Sequence, residues 1–361
     1  MAIAESQVQA ALKEIQDPNT GKDLVAAKAL RNLKIDGADV TLEIVFGYPA
    51  KSIADSIRKQ VIAKLKTLGA GNVSCNVLFK VVSHSVQRGV KLIPNVKNIV
   101  AIASGKGGVG KSTTAANLAL ALAAEGAQAG ILDADIYGPS QPMMLGITGR
   151  PESIDGKSLE PMEAHGLQAM SIGFLIDVET PMVWRGPMVT QALQQLLNET
   201  RWRELDYLVV DLPPGTGDIQ LTLAQQVPVT GAVIVTTPQD IALIDARKGF
   251  KMFEKVGVNI LGVVENMSVH VCSNCGHEER IFGEGGAERM SKDYGVEFLG
   301  ALPLDVTIRE QADSGAPTVV SDPDGRVAQT YRKIARRVAI KIAEQAQDRS
   351  ALFPKIVIQQ T

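Results

Sequence analysis

The chain reads as an α/β protein: a mostly parallel, doubly wound sheet preceded by a small N-terminal α+β domain. Three observations predict this. From Asn98 onward, short apolar runs alternate with stretches of helical periodicity, the pattern of strands covered by helices on both faces. A glycine-rich loop, Gly105-Lys-Gly-Gly-Val-Gly-Lys-Ser112, joins the first of those strands to the first of those helices. Residues 1–83 follow a different pattern, and a polar and basic connector containing Pro94 separates them from the rest. The expected organisation is therefore a small domain over 1–83, a linker over 84–97 and a large domain over 98–361.

In the small domain, Gln7 to Gln16 forms a short amphipathic helix, followed by the turn Asp17-Pro-Asn-Thr-Gly21. A hairpin turn at Asp36-Gly37 leads into the strand Val40–Phe46, with a helix over Ala50–Leu68 and a strand over Asn72–Val82. In the large domain the predicted strands are Asn98–Ser104, Ala129–Asp133, Gly166–Ile172, Asp206–Asp211, Gly231–Thr237, Ile260–Glu265 and Val296–Ala301. Helices are predicted between them, notably Lys111–Glu125, Pro187–Glu199, Asp240–Val256 and Gly325–Gln347. The last carries Arg332, Lys333, Arg336, Arg337 and Lys341, but Val327, Tyr331, Ile334, Val338 and Ile342 make a core-facing stripe. The tail Leu352-Phe-Pro-Lys-Ile-Val-Ile358 is short and contains a proline.

Composition excludes several classes. With 45% hydrophobic residues, the 361-residue chain suits one large and one small soluble domain. A net charge of −2 provides no basic field to gather nucleic acid. No run approaches the ~18 apolar residues needed to insert in a membrane. The N-terminus lacks a signal peptide, so a cytoplasmic location is expected.

The glycine-rich loop meets the phosphate-binding pattern G-x-x-x-x-G-K-[ST] through Gly105, Gly110, Lys111 and Ser112. Gly107, Gly108 and Gly110 let the backbone around Val109 turn its N–H groups inward, making a nest for phosphate oxygens up to Thr113. Lys111 then reaches the β- and γ-phosphates and Ser112 holds Mg²⁺. A buried strand ending at Asp211 supplies the hard oxygen that Mg²⁺ needs opposite Ser112. The loop after it, Leu212-Pro-Pro-Gly-Thr-Gly-Asp218, reads as a switch: Pro213 and Pro214 stiffen it and the Gly215 N–H can meet a γ-phosphate, with Thr216 and Gly217 completing the turn. These features predict a P-loop NTPase sheet that binds a nucleoside triphosphate.

Cys272-Ser-Asn-Cys275 is a second centre. Two thiolates two residues apart can grip a metal or one edge of a cluster, whereas zinc and [4Fe–4S] sites generally take four ligands. The third cysteine, Cys75, sits in an alternating strand and reads as a small buried hydrophobe. Two chains face to face would supply four thiols. Alternatively, His270 and His277 complete a Cys₂His₂ zinc site, or the pair is a redox dithiol or a structural disulfide.

Lys106, at the start of the loop, makes the segment similar to the deviant Walker A family, which includes MinD and ParA, the nitrogenase iron protein, arsenite ATPases and Mrp-type iron–sulfur carriers. That resemblance implies a homodimer in which Lys106 reaches the nucleotide of the other subunit. It also implies that Asp135 of Leu132-Asp-Ala-Asp-Ile136 orients or deprotonates the attacking water, that Asp133 supports Ser112 and the magnesium shell, and that Asn266 pairs with adenine and selects ATP. Lys106, Lys111 and Asp135 are then the catalytic residues.

With the Pro-Pro-Gly-Thr-Gly switch and the Cys272–Cys275 placement, residues 98–345 resemble the Mrp-type (ApbC-like) iron–sulfur carrier ATPases. The resemblance implies a [4Fe–4S] cluster shared between two subunits, a cluster donor, apoprotein clients, and transfer that depends on ATP hydrolysis. Residues 1–83 resemble the small domain fused to such ATPases and found alone in iron–sulfur assembly factors, on Asp17-Pro-Asn-Thr-Gly-Lys-Asp-Leu24 and Leu33-Lys-Ile-Asp-Gly37. Where many such domains carry a cysteine, this chain has Tyr48-Pro-Ala-Lys51, so a docking role is expected there. The rival expectation is a MinD- or ParA-like positioning ATPase with structural zinc at the cysteine pair.

Overall fold

A computed structural model describes residues 3–87, 90–176, 186–272 and 274–347. The tail segment 352–358 lies outside the described residues. Helix α1 (Glu5–Lys13) is followed by strands β1 (Leu30–Asp36) and β2 (Asp39–Phe46), helix α2 (Lys51–Thr67) and strand β3 (Val73–Phe79). β1 and β2 form an antiparallel hairpin, and α2 carries the chain across to β3, parallel to β2. Leu42, Ile44 and Phe46 from β2 meet Ile57, Val61 and Leu65, spaced four apart on α2, in a shared core. β1 begins upstream of the predicted hairpin turn. A bulge between Arg31 and Lys34, with Asn32 at φ 49°, breaks the alternation that would have marked it.

The larger part begins with β4 (Val96–Ala103), α3 (Lys111–Ala124), β5 (Ala129–Asp133) and the single turn α4 (Gln141–Met144). β6 (Met162–Ala164), β7 (Leu167–Ser171), α5 (Gly186–Glu199), β8 (Leu205–Asp211), α6 (Asp218–Gln226), β9 (Gly231–Thr236) and α7 (Asp240–Lys255) follow. β10 (Ile260–Glu265) leads to a small hairpin of β11 (His270–Val271) and β12 (Glu278–Glu279). α8 (Gly286–Tyr294), β13 (Phe298–Ala301), α9 (Val306–Asp313), α10 (Thr318–Ser321) and α11 (Arg326–Ala343) complete it.

The large sheet runs β13-β10-β9-β4-β8-β5-β7-β6 and is parallel except for β6. Every residue of β5, β8, β9 and β10 is buried, as continuous apolar runs require when helices cover both faces. The edge strand β6 was not anticipated, since three residues centred on the exposed Glu163 leave no apolar run to read. β8 lies on one side of β4 and β9 on the other, so the connections diverge at β4 and open a crevice beyond the strands' C-terminal ends. Tyr331, Ile334, Val338 and Ile342 of α11 are buried, which turns its stripe onto the core as expected. No described helix is long and apolar enough to cross a membrane.

The two parts meet at Glu125, which ends α3 and is 1% exposed. α2 has no side-chain cap of its own. Instead the Ser52 N–H donates to the Glu125 carboxylate at 3.2 Å and the Lys51 N–H to the Glu125 carbonyl at 3.2 Å. Arg332 and Arg336 of α11 donate to the same carboxylate at 3.1 and 2.8 Å. Glu125→Ala would leave two largely buried guanidinium groups and the start of α2 unpaired. The expected cost is about 3 kcal/mol, the lower end for breaking a buried pair because both arginines keep some exposure, measured by urea unfolding. A loss below about 1 kcal/mol, the scale of a surface pair, would contradict the assignment.

Candidate nucleotide and cysteine sites

The loop leaves β4 at the centre of the sheet and delivers Lys111 as the first residue of α3. Two glycines are needed for local reasons. A Cβ on Gly105 would stand 2.1 Å from the Asp245 backbone of α7. Gly110 lies at φ 80°, and a Cβ there would stand 2.1 Å from Asn266 Nδ2. Asn266 Nδ2 donates to the Val109 carbonyl at 2.9 Å, so the end of β10 braces the loop directly. Gly107 and Gly108 are exposed, Val109 is buried, and Ser112 and Thr113 are half-buried.

Asp133 and Asp211 are register partners at the ends of β5 and β8, and both are fully buried. The Lys111 ammonium bonds Asp211 Oδ1 and also Ser112 Oγ at 3.1 Å. Asp133 receives the N–H groups of Asp135, Ser140 and Gln141 at 3.1, 2.9 and 3.0 Å, and the Ser171 hydroxyl at 3.1 Å. Burial pushes the Asp133 carboxyl up to about 7, and the Asp211 charge pushes the same way against the pull of those N–H donors. The Gln141 amide, which carries no sequence motif and was not anticipated, bridges Asp211 Oδ2 at 2.9 Å and the Ser112 carbonyl at 3.1 Å. Asp133 thus reaches Ser112 through Gln141.

Asp135 stands half-buried beside this group, its carboxyl raised by burial. The Gly215 N–H donates to the Ser104 carbonyl at 2.9 Å, and Gln220 Nε2 holds the Pro214 carbonyl at 2.6 Å. Gly215 takes φ 101°, Thr216 is half-buried and Gly217 is exposed at the start of α6. Lys106 is exposed, and among the described residues no carboxylate pairs with its ammonium. Its carbonyl accepts the Ser104 hydroxyl at 2.9 Å, which ties the backbone there to the end of β4.

Cys272 and Cys275 occupy the turn between β11 and β12. The Cys272 N–H donates to the His277 carbonyl at 2.9 Å and the Gly276 N–H to the Cys272 carbonyl at 2.8 Å. Backbone N–H groups of Cys275 and Asn274 aimed at the Cys272 sulfur favour its thiolate. Cys275 is exposed and Cys272 half-buried, whereas Cys75 is buried on β3, where burial raises its thiol to about 11. His270 Nδ1 lies 3.2 Å from the Leu304 carbonyl. Among the described residues no three His, Cys, Asp or Glu side chains gather into a metal site, so the Cys₂His₂ arrangement is not assembled there. The hairpin is laced to the strand ends by Ser268 N–H to Leu302 O at 3.0 Å and Leu304 N–H to Val269 O at 2.8 Å.

A phosphate-type loop on a central parallel strand, with an Asp-tipped neighbour and a second glycine-rich turn beside it, defines a P-loop NTPase. Residues 95–339 match the family of NUBPL iron-transfer P-loop NTPases, and residues 5–78 match the iron–sulfur cluster assembly protein family. The iron–sulfur cluster carrier protein of Pseudomonas fragi is 60% identical over 279 residues, covering 77% of this chain and 96% of that protein. The iron–sulfur cluster carrier protein of Escherichia coli K12 is 51% identical over 339 residues, covering 93% of this chain and 92% of the relative. A solved nucleotide-binding protein from Archaeoglobus fulgidus, in complex with ADP, aligns with a TM-score of 0.56 at 38% identity, over 64% of this chain and 90% of that one. The chain belongs to the NUBPL-type family of iron-transfer P-loop NTPases.

The Asp133 titration has a measurable sign. A carboxyl held up near 7 in the fold stays protonated while its unfolded counterpart ionises near 3.8, so its stabilising contribution is present below about pH 4 and is lost toward pH 7. Asp133→Asn removes that titration. In metal-free buffer the wild-type melting temperature should fall more steeply between pH 4 and 7 than that of Asp133→Asn. Parallel slopes would place the ionisation elsewhere.

Proposed function

We propose that this chain is an ATP-dependent iron–sulfur cluster carrier, which holds a [4Fe–4S] cluster between two copies of itself and hands it to apoproteins. The observation that carries this reading is the Cys272–Cys275 turn, tied to the end of β10 that also braces the phosphate loop. The relatives over nine-tenths of the chain are named iron–sulfur cluster carrier proteins, which supports it. Two cysteines per chain, with no third ligand gathered among the described residues, suit a site completed by a second copy about a two-fold axis. The exposed Lys106 suits the same dimer, where it meets the partner's nucleotide.

In this reading ATP lies along residues 105–113, with Asn266 at the adenine. Lys111 exchanges Asp211 for the β- and γ-phosphates. Ser112 and Asp211 would then hold Mg²⁺, with Asp133 supporting them through Gln141. The donor chemistry fits that ion: the groups are hard oxygens, and the buried Gln141 Oε1 and Ser140 Oγ beside them have no partner among the described residues. When bound, Mg²⁺ neutralises phosphate charge. Asp135, made more basic by burial, takes a proton from the water that attacks the γ-phosphorus, and the bond to the ADP oxygen breaks. The Gly215 N–H moves from Ser104 to the γ-phosphate and back, so the switch follows the nucleotide. Residues 1–83 form the docking domain, 84–97 its linker and 98–361 the ATPase domain, in a cytoplasmic protein that receives its cluster from a donor.

Anaerobic reconstitution tests the cargo. Cys272→Ala or Cys275→Ala removes two of four ligands from a shared site, so each should bind nucleotide normally yet retain less than a tenth of the cluster absorbance and iron. Cys75→Ala should retain all of it. A full [4Fe–4S] spectrum in either ligand variant, or a colourless wild type with stoichiometric zinc, refutes the carrier reading.

Mixing tests the dimer. Lys106→Gln and an Asp135→Asn variant should each hydrolyse ATP at least tenfold more slowly than wild type. A mixture whose subunit exchange is verified by mass should regain activity, because one site per heterodimer keeps Asp135 and meets an intact Lys106 from the other chain. Exchange without recovery would assign Lys106 to its own chain's nucleotide.

A further inference from the structure

Gln141 opens α4 from inside the site, 1% exposed. Its side-chain Nε2 meets two acceptors, Asp211 Oδ2 and the Ser112 carbonyl, while its backbone N–H meets Asp133. The amide orientation follows from those partners: the opposite flip would set its oxygen against a carboxylate and a carbonyl. Oε1 is therefore turned away from them, buried and without a donor among the described residues. A residue needed only to tie the loop to the strands would require the two Nε2 hydrogens and nothing more. A buried amide oxygen with no donor is uncommon unless a ligand or water completes it.

We propose that Gln141 is a positioning residue for the divalent cation: Nε2 holds Asp211 and the Ser112 turn at a fixed separation, and Oε1 accepts a hydrogen from a water in the cation's hydration shell. A small hard cation keeps several of its waters, so its site needs outer acceptors as well as direct ligands. Gln141 also links the Asp133–Ser140 loop to both direct ligands, so that loop senses the cation through one side chain. This inference rests on the nucleotide reading above.

The test uses the full chain, N-methylanthraniloyl-ADP as fluorescent probe, and Mn²⁺ as cation. Gln141→Met keeps the length and apolar bulk but removes both amide atoms. In EDTA it should bind the probe within about twofold of wild type, while the Mn²⁺ concentration for half-maximal response rises about tenfold or more, as expected for a lost bond to an ion-polarised group. An unchanged Mn²⁺ requirement overturns the proposal. An equal loss with and without Mn²⁺ also overturns it, because the residue then serves the fold or the nucleotide. Gln141→Glu sets a third carboxylate beside Asp133 and Asp211, so Mn²⁺ alone should raise its melting temperature more than that of wild type. No such gain overturns the proposal even if Gln141→Met does not fold. A wild type that fails to bind the probe in any buffer overturns the nucleotide reading itself, and with it the ground for Gln141.

Discussion

Two buried carboxylates on neighbouring strands set the terms for everything around them. Asp133 and Asp211 stand opposite each other where β5 and β8 end, both buried away from bulk solvent, so each raises the cost of ionising the other. Lys111 offsets one of them, and N–H groups and a hydroxyl surround the other. Each partner comes from a different part of the chain. The loop after β4 has to return Lys111 to the strand ends, the segment after β5 has to curl back at Ser140 and Gln141, and β7 has to bring Ser171 alongside. With both acids ionised, the group carries one more negative charge than positive.

Much of the fold was legible because its signals are local. Strands such as β8 and β9 are apolar throughout, and the loop between β4 and α3 has a spacing that few other purposes require. The pieces that escaped reading lack such signals. β6 is three residues long, the upstream half of β1 is masked by a bulge, and the β11–β12 hairpin consists of two-residue strands. The site shows the same division. Lys111, Ser112 and Asp211 were legible from their motifs and Asp133 through the family resemblance, and the structure brings them together. Gln141 is one glutamine before a proline, and only the fold brings it against Asp211. The pairing of Lys111 with Asp211 joins two motifs about a hundred residues apart, which spacing alone does not connect.

The cysteine turn and the phosphate loop are neighbours through β10. Asn266 holds the Val109 carbonyl on one side, and a few residues later the chain is bonded to the segment after β13 before it turns at Cys272. Displacing Val109 therefore pulls on a short, hydrogen-bonded path rather than on a slack loop. The loop after β8 is attached in the same manner, its Gly215 N–H spent on the Ser104 carbonyl. These are exchangeable bonds to the backbone of one loop, which is where a nucleotide's phosphates would compete for them.

Helix α3 begins at Lys111 and its last turn runs into Glu125, a rod of about 20 Å at 1.5 Å per residue. Because Glu125 supplies the cap that α2 lacks, the small three-stranded sheet hangs from the far end of the helix that carries Lys111. One continuous helix therefore joins the loop at Lys111 to the carboxylate that caps α2, so the anchorage of the small sheet and the seating of that lysine share a single element.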